Sequence, residues 1–217
     1  MPSPTTVNDK FDKAFARLPL IGILRGIQPE EAVAVGSTLC GQGWLIIEVP
    51  LNSPRPLASI EALAAGLPQA LVGAGTVLTV DDVHRVHAAG GQMVVSPNFN
   101  PAVVRETVRL GMISLPGVIT PSEAFAALEA GANGLKLFPA EMISPGVVKA
   151  WRAVLTPPIA IVPVGGITPE AIAPYLAAGA SGFGLGSALY RPGDTPAQVA
   201  TQATAFVQAW RSARSRD

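Results

Sequence analysis

A lysine in the middle of an apolar strand is an amine whose position solubility does not explain. Lys136 lies in Leu135-Lys136-Leu137-Phe138-Pro139, a segment that reads as a strand buried on both faces. Strand side chains alternate, so with Leu135 and Leu137 on the helix-covered face, Lys136 points to the interior. Burial disfavours the ammonium form, which frees the amine to attack a ketone. The chemistry implied is a Schiff base. In Ile46-Ile47-Glu48-Val49-Pro50 the same alternation turns Glu48 inward while Ile47 and Val49 meet the helices. The two ionisable groups then converge on one volume, as catalytic partners or, in the blander alternative, as a structural ion pair.

Further polar residues stand at the ends of apolar runs. Arg25 ends Ile23-Leu24-Arg25-Gly26, and Thr76 ends Gly73-Ala74-Gly75-Thr76. A guanidinium forks onto a carboxylate and a hydroxyl adds one directed hydrogen bond, a pairing suited to a 2-oxo acid. The alternatives are an arginine that orients Glu48 and a threonine satisfied locally. Two glycine-rich turns follow later strands: Val164-Gly165-Gly166-Ile167-Thr168 and Gly184-Leu185-Gly186-Ser187-Ala188. Gly165, Gly166, Gly186 and Ser187 are candidates to hold a phosphate on backbone N–H groups, helped by a following helix amino terminus. Phe138 and Pro97 are expected to shape the wall.

Other residues carry less. His84 and His87 are three apart on an expected helix without nearby cysteine or acidic ligands at metal spacing, so they read as solvated or partly packed and no metal is expected. Trp44, Trp151 and Trp210 are too scattered for a stacking platform and read as core or subunit-contact residues. Gly184-x-Gly186 lacks the third glycine and acidic partner of a dinucleotide fingerprint, so no cofactor is expected.

What must position these groups is a run of alternating elements. Apolar runs near 19 to 25, 44 to 50, 70 to 76, 92 to 96, 112 to 117, 133 to 138, 159 to 164 and 181 to 186 read as strands, each followed by a helix-like stretch. Helix starts are marked by Gln28-Pro29-Glu30-Glu31, Thr79-Val80-Asp81-Asp82, Thr120-Pro121-Ser122-Glu123 and Thr168-Pro169-Glu170. Helix ends are marked by Gly41 or Gly43, Gly66, Gly90, Gly111, Gly131 and Gly179. The expected fold is α/β, a single (β/α)8 barrel over 18 to 210, with a leading helix within 1 to 17 and a frayed basic tail over 211 to 217. The site is expected at the carboxyl ends of the strands.

Composition narrows the class. Of 217 residues, 49% are hydrophobic and 14% charged, with a formal net charge of zero, so no global field recruits nucleic acid or an anionic membrane. No eighteen apolar residues run together and the amino-terminal stretch lacks the pattern of a signal peptide. One cysteine, Cys40, cannot form an internal disulfide, and a reducing cytoplasm is expected.

With Arg25-Gly26, Glu48, Gly73-Ala74-Gly75-Thr76, Lys136-Leu137-Phe138-Pro139, Gly165-Gly166 and Gly186-Ser187 in order, residues 18 to 210 resemble the bacterial 2-keto-3-deoxy-6-phosphogluconate and phosphogalactonate aldolase family. The resemblance implies a metal-independent class I aldolase, built as a (β/α)8 barrel and usually homotrimeric. In such enzymes the lysine matching Lys136 forms the Schiff base, and the glutamate matching Glu48 shuttles protons. Glu48-Val49-Pro50-Leu51-Asn52-Ser53-Pro54 resembles the phosphogalactonate branch. The phosphogluconate branch commonly carries Thr and Arg where this chain has Pro50 and Asn52, and Thr where it has Val164. Pro139-Ala140-Glu141, by contrast, is shared with many phosphogluconate enzymes. The reaction implied is reversible cleavage of 2-dehydro-3-deoxy-6-phospho-D-galactonate to pyruvate and D-glyceraldehyde 3-phosphate. Two alternatives stand beside it: cleavage of the C4-epimeric phosphogluconate substrate with activity on 4-hydroxy-2-oxoglutarate, and a non-catalytic phosphosugar-binding barrel.

Overall fold

Threonine caps and proline first turns set the helices where the sequence puts them. The computed structural model describes residues 6–215. Residues 1 to 5 of the amino-terminal extension and residues 216 and 217 of the expected tail lie outside the described residues. Helix α1 (Val7–Arg17) opens on Thr6, whose hydroxyl accepts from the Asp9 N–H while the Asp9 carboxylate accepts in return from Thr6. The same reciprocal box, built on Thr79 with Asp82, Thr120 with Glu123 and Thr195 with Gln198, starts α4 (Val80–Ala88), α6 (Pro121–Glu129) and α9 (Pro196–Arg214). Gly43, Gly90, Gly111, Gly131 and Gly179 take the left-handed backbone that ends a helix without strain. Gly66 does not; it is the last residue of α3 (Pro56–Gly66), and Leu67 follows as the cap.

The strands are short and buried throughout, as parallel strands covered on both faces must be. β1 (Leu20–Ile23), β2 (Ile46–Pro50), β3 (Leu71–Gly75), β4 (Met93–Val95), β5 (Ile113–Leu115) and β9 (Phe183–Leu185) form one parallel sheet in the order β5-β4-β3-β2-β1-β9. A second parallel sheet has the order β6-β7-β8, from β6 (Gly117–Val118), β7 (Gly134–Leu137) and β8 (Ala160–Pro163). The expected fifth strand over 112 to 117 is therefore two pieces. Pro116 has no N–H to donate to a ladder, and the strand breaks there, although its carbonyl still accepts from the Lys136 N–H at 3.0 Å. Between β8 and β9 the pairing reduces to one bridge, Val164 with Gly184, and a Ser181 N–H to Ile161 carbonyl bond of 2.8 Å. The remaining helices are α2 (Pro29–Gly41), α5 (Pro101–Arg109), α7 (Pro145–Trp151) and α8 (Pro169–Ala177).

Two apolar layers result. The outer layer, between strands and helices, contains Ile47, Val49, Leu135 and Leu137 with Trp44, Phe183 and Phe206. The inner one gathers Ile21, Ile23, Ile46, Leu71, Met93, Val95, Ile113, Leu115, Val162 and Val164 from both sheets, and Phe11 and Ala14 of α1 pack on it. Helix α1 thus covers one end of the interior, as expected of the leading helix. The carboxyl end differs from expectation. Helix α9 continues through Arg211 to Arg214, where Ala213 is buried and the Arg214 guanidinium lies 5.8 Å from the Trp210 ring centroid, so residues 211 to 214 are helical.

Candidate active site

Strand alternation delivers the two ionisable side chains to the inner layer. Leu135 and Leu137 pack outward, as do Ile47 and Val49, leaving Lys136 and Glu48 on the opposite face of their strands at 5% and 2% exposure. Among the described residues no direct ion pair joins them. The bland reading of a structural salt bridge therefore loses its contact. Glu48 Oε2 is buried and accepts no hydrogen bond from a protein group among the described residues, which leaves it open to a water or a substrate hydroxyl.

Burial raises the Glu48 carboxyl to about 7, opposed by the positive charges of Lys136 and Arg25. At neutral pH such a group both gives and takes protons. Burial also lowers the Lys136 ammonium; the Glu48 charge resists this and the Arg25 charge adds to it. The Lys136 Nζ stands 4.5 Å from the centroid of the Phe138 ring.

Glycine makes room for the carboxylate. A Cβ at Gly75 would come within 2.5 Å of Glu48 Oε1, so the strand can pass that close only without a side chain. Thr76, the next residue, holds a left-handed backbone with φ 58°, a conformation that costs energy in a non-glycine residue and that clusters at functional sites. Pro97 follows β4, and its backbone lies against Gly117, which is the register partner of Lys136. Pro97 thus borders the strand beside Lys136, and Thr76 directly follows the glycine that faces Glu48.

The other expected residues line a cavity of about 590 Å³: Arg25, Phe138, Val164, Gly165, Gly166, Gly186 and Ser187. Phe138 joins the two parts, since one ring faces this cavity and the Lys136 amine. Arg25 donates from Nη1 to Asn52 Oδ1 at 2.6 Å, so its partner is Asn52 and not Glu48. Gly165 and Gly166 have φ of 110° and 61°; the Gly165 N–H is engaged in the bridge to Gly184, while the N–H groups of Gly166, Ser187 and Ala188 donate to no acceptor among the described residues. Free donors turned around one concavity form an anion cradle.

One expectation about that cradle is corrected. Helix α8 begins soon after the first glycine turn, but no helix follows the second. The Leu189 and Tyr190 N–H groups close a single turn on the Gly186 carbonyl at 2.8 and 2.9 Å, and α9 begins only at Pro196. Gly186 and Ser187 therefore receive no helix dipole.

Some neighbours were not singled out from the sequence as site residues. Glu141, Thr168, Tyr190 and Arg191 line the same cavity. Their signal was proximity to the glycine turns, which reads equally well as ordinary loop polarity. His84 lies away from this site, with Nε2 at 2.5 Å from Glu106 Oε1 on the surface. Trp44, Trp151 and Trp210 are all buried, as core residues should be. No helix among the described residues is long and apolar enough to cross a membrane, and they contain no cluster of three metal-ligating side chains.

Comparisons with known proteins bear on the family. The family model described as KDPG and KHG aldolase matches residues 11–198. A protein of Rhizobium meliloti (strain 1021), described as a probable 2-dehydro-3-deoxy-6-phosphogalactonate aldolase, is 48% identical over 193 residues, covering 88% of this chain and 91% of the relative. The 2-dehydro-3-deoxy-6-phosphogalactonate aldolase of Escherichia coli (strain K12) is 47% identical over 198 residues, covering 91% and 97%. A solved structure described as native KDPGal superimposes with a TM-score of 0.89 at 47% identity, covering 92% of this chain and 97% of that one. Its parallel α/β architecture, its buried Lys136 and Glu48, and these matches together lead to one conclusion: the chain belongs to the KDPG and KHG aldolase family.

Proposed function

We propose that the protein is a class I aldolase that reversibly cleaves 2-dehydro-3-deoxy-6-phospho-D-galactonate to pyruvate and D-glyceraldehyde 3-phosphate. The observation that carries this reading is the buried Lys136 and Glu48, with no direct ion pair among the described residues, and the Phe138 ring that faces both the Lys136 amine and a cavity with free backbone donors. The neutral Lys136 amine adds to the C2 ketone and loses water to give an iminium. Glu48 takes the proton of the C4 hydroxyl; the electrons of the C3–C4 bond move to the iminium nitrogen, and the aldehyde leaves. Glu48 then returns its proton to C3 of the pyruvate enamine, and hydrolysis regenerates the amine. Arg25 and Thr76 position the 2-oxo acid, Phe138 and Pro97 form the wall, and Gly165, Gly166, Gly186 and Ser187 hold the phosphate. No metal or organic cofactor enters these steps.

The branch rests on Val164. It is an apolar wall residue of the cavity, 7% exposed, and offers no hydroxyl to the substrate. A site that does hydrogen-bond a substrate hydroxyl discriminates strongly against its epimer. The names of the Rhizobium meliloti and Escherichia coli relatives support the same branch. Turnover of both C4 epimers, followed as pyruvate released, is the test. Preference for the galactonate epimer is expected; preference for the gluconate epimer would move the assignment to the other branch. Binding of both without turnover would favour the non-catalytic barrel.

The same reading includes a closed (β/α)8 barrel with β5 and β6 counted as one strand interrupted at Pro116. It is supported by the Val164 to Gly184 bridge and by an inner layer drawn from both sheets. A homotrimer completes it, supported by Val108 and Phe125, exposed on the neighbouring helices α5 and α6. Light scattering of the purified protein would read three copies. A cytoplasmic location fits the unpaired Cys40.

A further inference from the structure

We infer that Arg191 is the cation that binds the substrate phosphate and sets selectivity for phosphorylated over unphosphorylated sugar acids. The cradle built by the two glycine turns has directed donors but no formal positive charge. A phosphate monoester brings ~1.5 to 2 negative charges at neutral pH. Helix α8 supplies a partial charge behind Gly165 and Gly166, whereas the single turn after Gly186 supplies none. Glu141 worsens the balance, because its side chain packs on both glycines: a Cβ at Gly165 would clash with the carboxylate and one at Gly166 with its Cγ. Something must offset that charge.

Two arginines line the cavity. Arg25 is turned toward the Asn52 side chain and its charge acts on Glu48 and Lys136, at the reacting end. Arg191 stands at the other end, beside Ser187. Its Nε donates to the Ser187 carbonyl at 3.1 Å, and its own backbone N–H donates to Asp194 Oδ2 at 2.8 Å. The tether through Nε fixes the guanidinium over the second glycine turn, and neither Nη donates to an acceptor among the described residues. A planar fork with two free nitrogens, held beside an exposed serine hydroxyl and free N–H groups, has the shape for bidentate phosphate binding. The tether also ties the arginine to the backbone it would assist, so less side-chain freedom is lost on binding.

The choice of sugar acid rests on the aldolase reading, but the phosphate site does not. The experiment compares wild type, Arg191→Gln and Arg191→Lys in two measurements. The first is kcat and KM on the phosphorylated sugar acid and on its unphosphorylated counterpart. Loss of the arginine should raise KM for the phosphorylated substrate about 10- to 100-fold, the scale of a charged hydrogen-bonded contact, with kcat for the unphosphorylated one unchanged. Lysine should restore part of the loss. Equal losses on both substrates, or no loss on either, would overturn the inference. The second measurement is calorimetric binding of glycerol 3-phosphate, which needs no chemistry. Binding by wild type that weakens by the same factor in Arg191→Gln upholds Arg191 even if no sugar acid is cleaved, in which case the aldolase reading alone fails. Unchanged binding, or none by wild type, removes the phosphate role. Thermal melting of each variant confirms that the fold is intact.

Discussion

The two apolar layers of this molecule are built from the same strands and differ in what they tolerate. The outer layer holds only well-packed apolar side chains where β2 and β7 meet the helices, including Ile47, Val49, Leu135 and Leu137. The inner layer, one residue away on each strand, accepts Glu48 and Lys136 among isoleucines and valines. Among the described residues neither is compensated by a direct ion pair. Burying an ionisable group in that state costs stability, and the outer layer must supply what the inner layer spends. Stability and chemistry are therefore separated by a strand's two faces.

Substitutions on the two faces should break differently. Lys136→Met keeps volume and apolar packing but removes the amine; turnover should fall by about 10⁴ or more, the scale for losing a nucleophile, with folding intact. Glu48→Gln should lower kcat by about 10²- to 10⁴-fold, as expected for a lost general acid and base. In wild type the same group sets an acid limb: with the Glu48 carboxyl at about 7, kcat/KM should fall as pH drops below that value, because a protonated carboxyl cannot accept the C4 hydroxyl proton. Neither substitution should lower the melting temperature.

Leu135→Ala should do the reverse. Removing a fully buried outer-layer side chain should cost ~2 to 5 kcal/mol by denaturant titration, while the folded protein still forms its pyruvate adduct. The double change Glu48→Leu with Lys136→Met should leave stability unchanged or raise it by ~1 to 4 kcal/mol. A large loss of stability in that double variant would mean that the inner pair holds the fold together.

The pH dependence of stability sharpens the comparison further. The folded-state pKa of Glu48 is raised from 4.5 to about 7, so the native protein holds this proton more tightly than the unfolded chain. Its contribution is greatest below about 4.5 and is lost as pH rises toward 7, after which it stays constant, a difference on the order of 3 kcal/mol. Glu48→Gln should flatten the melting curve against pH over that window. The leucine substitution should shift the whole curve without changing its slope.

Much of this was legible in the sequence because period and residue type do most of the positioning. Alternation alone put Lys136 and Glu48 on the inner faces, and threonine caps with early acids located helix starts to within a residue. What resisted reading depends on backbone pairing. The apolar run places Pro116 inside one strand, yet its missing N–H divides the strand in two. The turn at Gly186 resembles the one at Gly165, but only the first leads into a helix, because Pro169 initiates α8 where Arg191-Pro192-Gly193 prolongs a loop. Arg191 carries no sequence signal for that reason: its relevance comes from the dipole that the turn lacks. The basic residues after Trp210 suggested a tail, but Ala213 finds a buried position that extends the helix.

The central claim is that the Lys136 amine is a nucleophile toward a 2-oxo acid. Borohydride reduction of the folded protein in the presence of pyruvate, followed by peptide mass mapping, tests it directly. The account predicts a reduced pyruvate unit on the peptide that carries Lys136, absent without pyruvate and absent in Lys136→Met. A folded protein that gains no such mass, or gains it on another lysine, would contradict it.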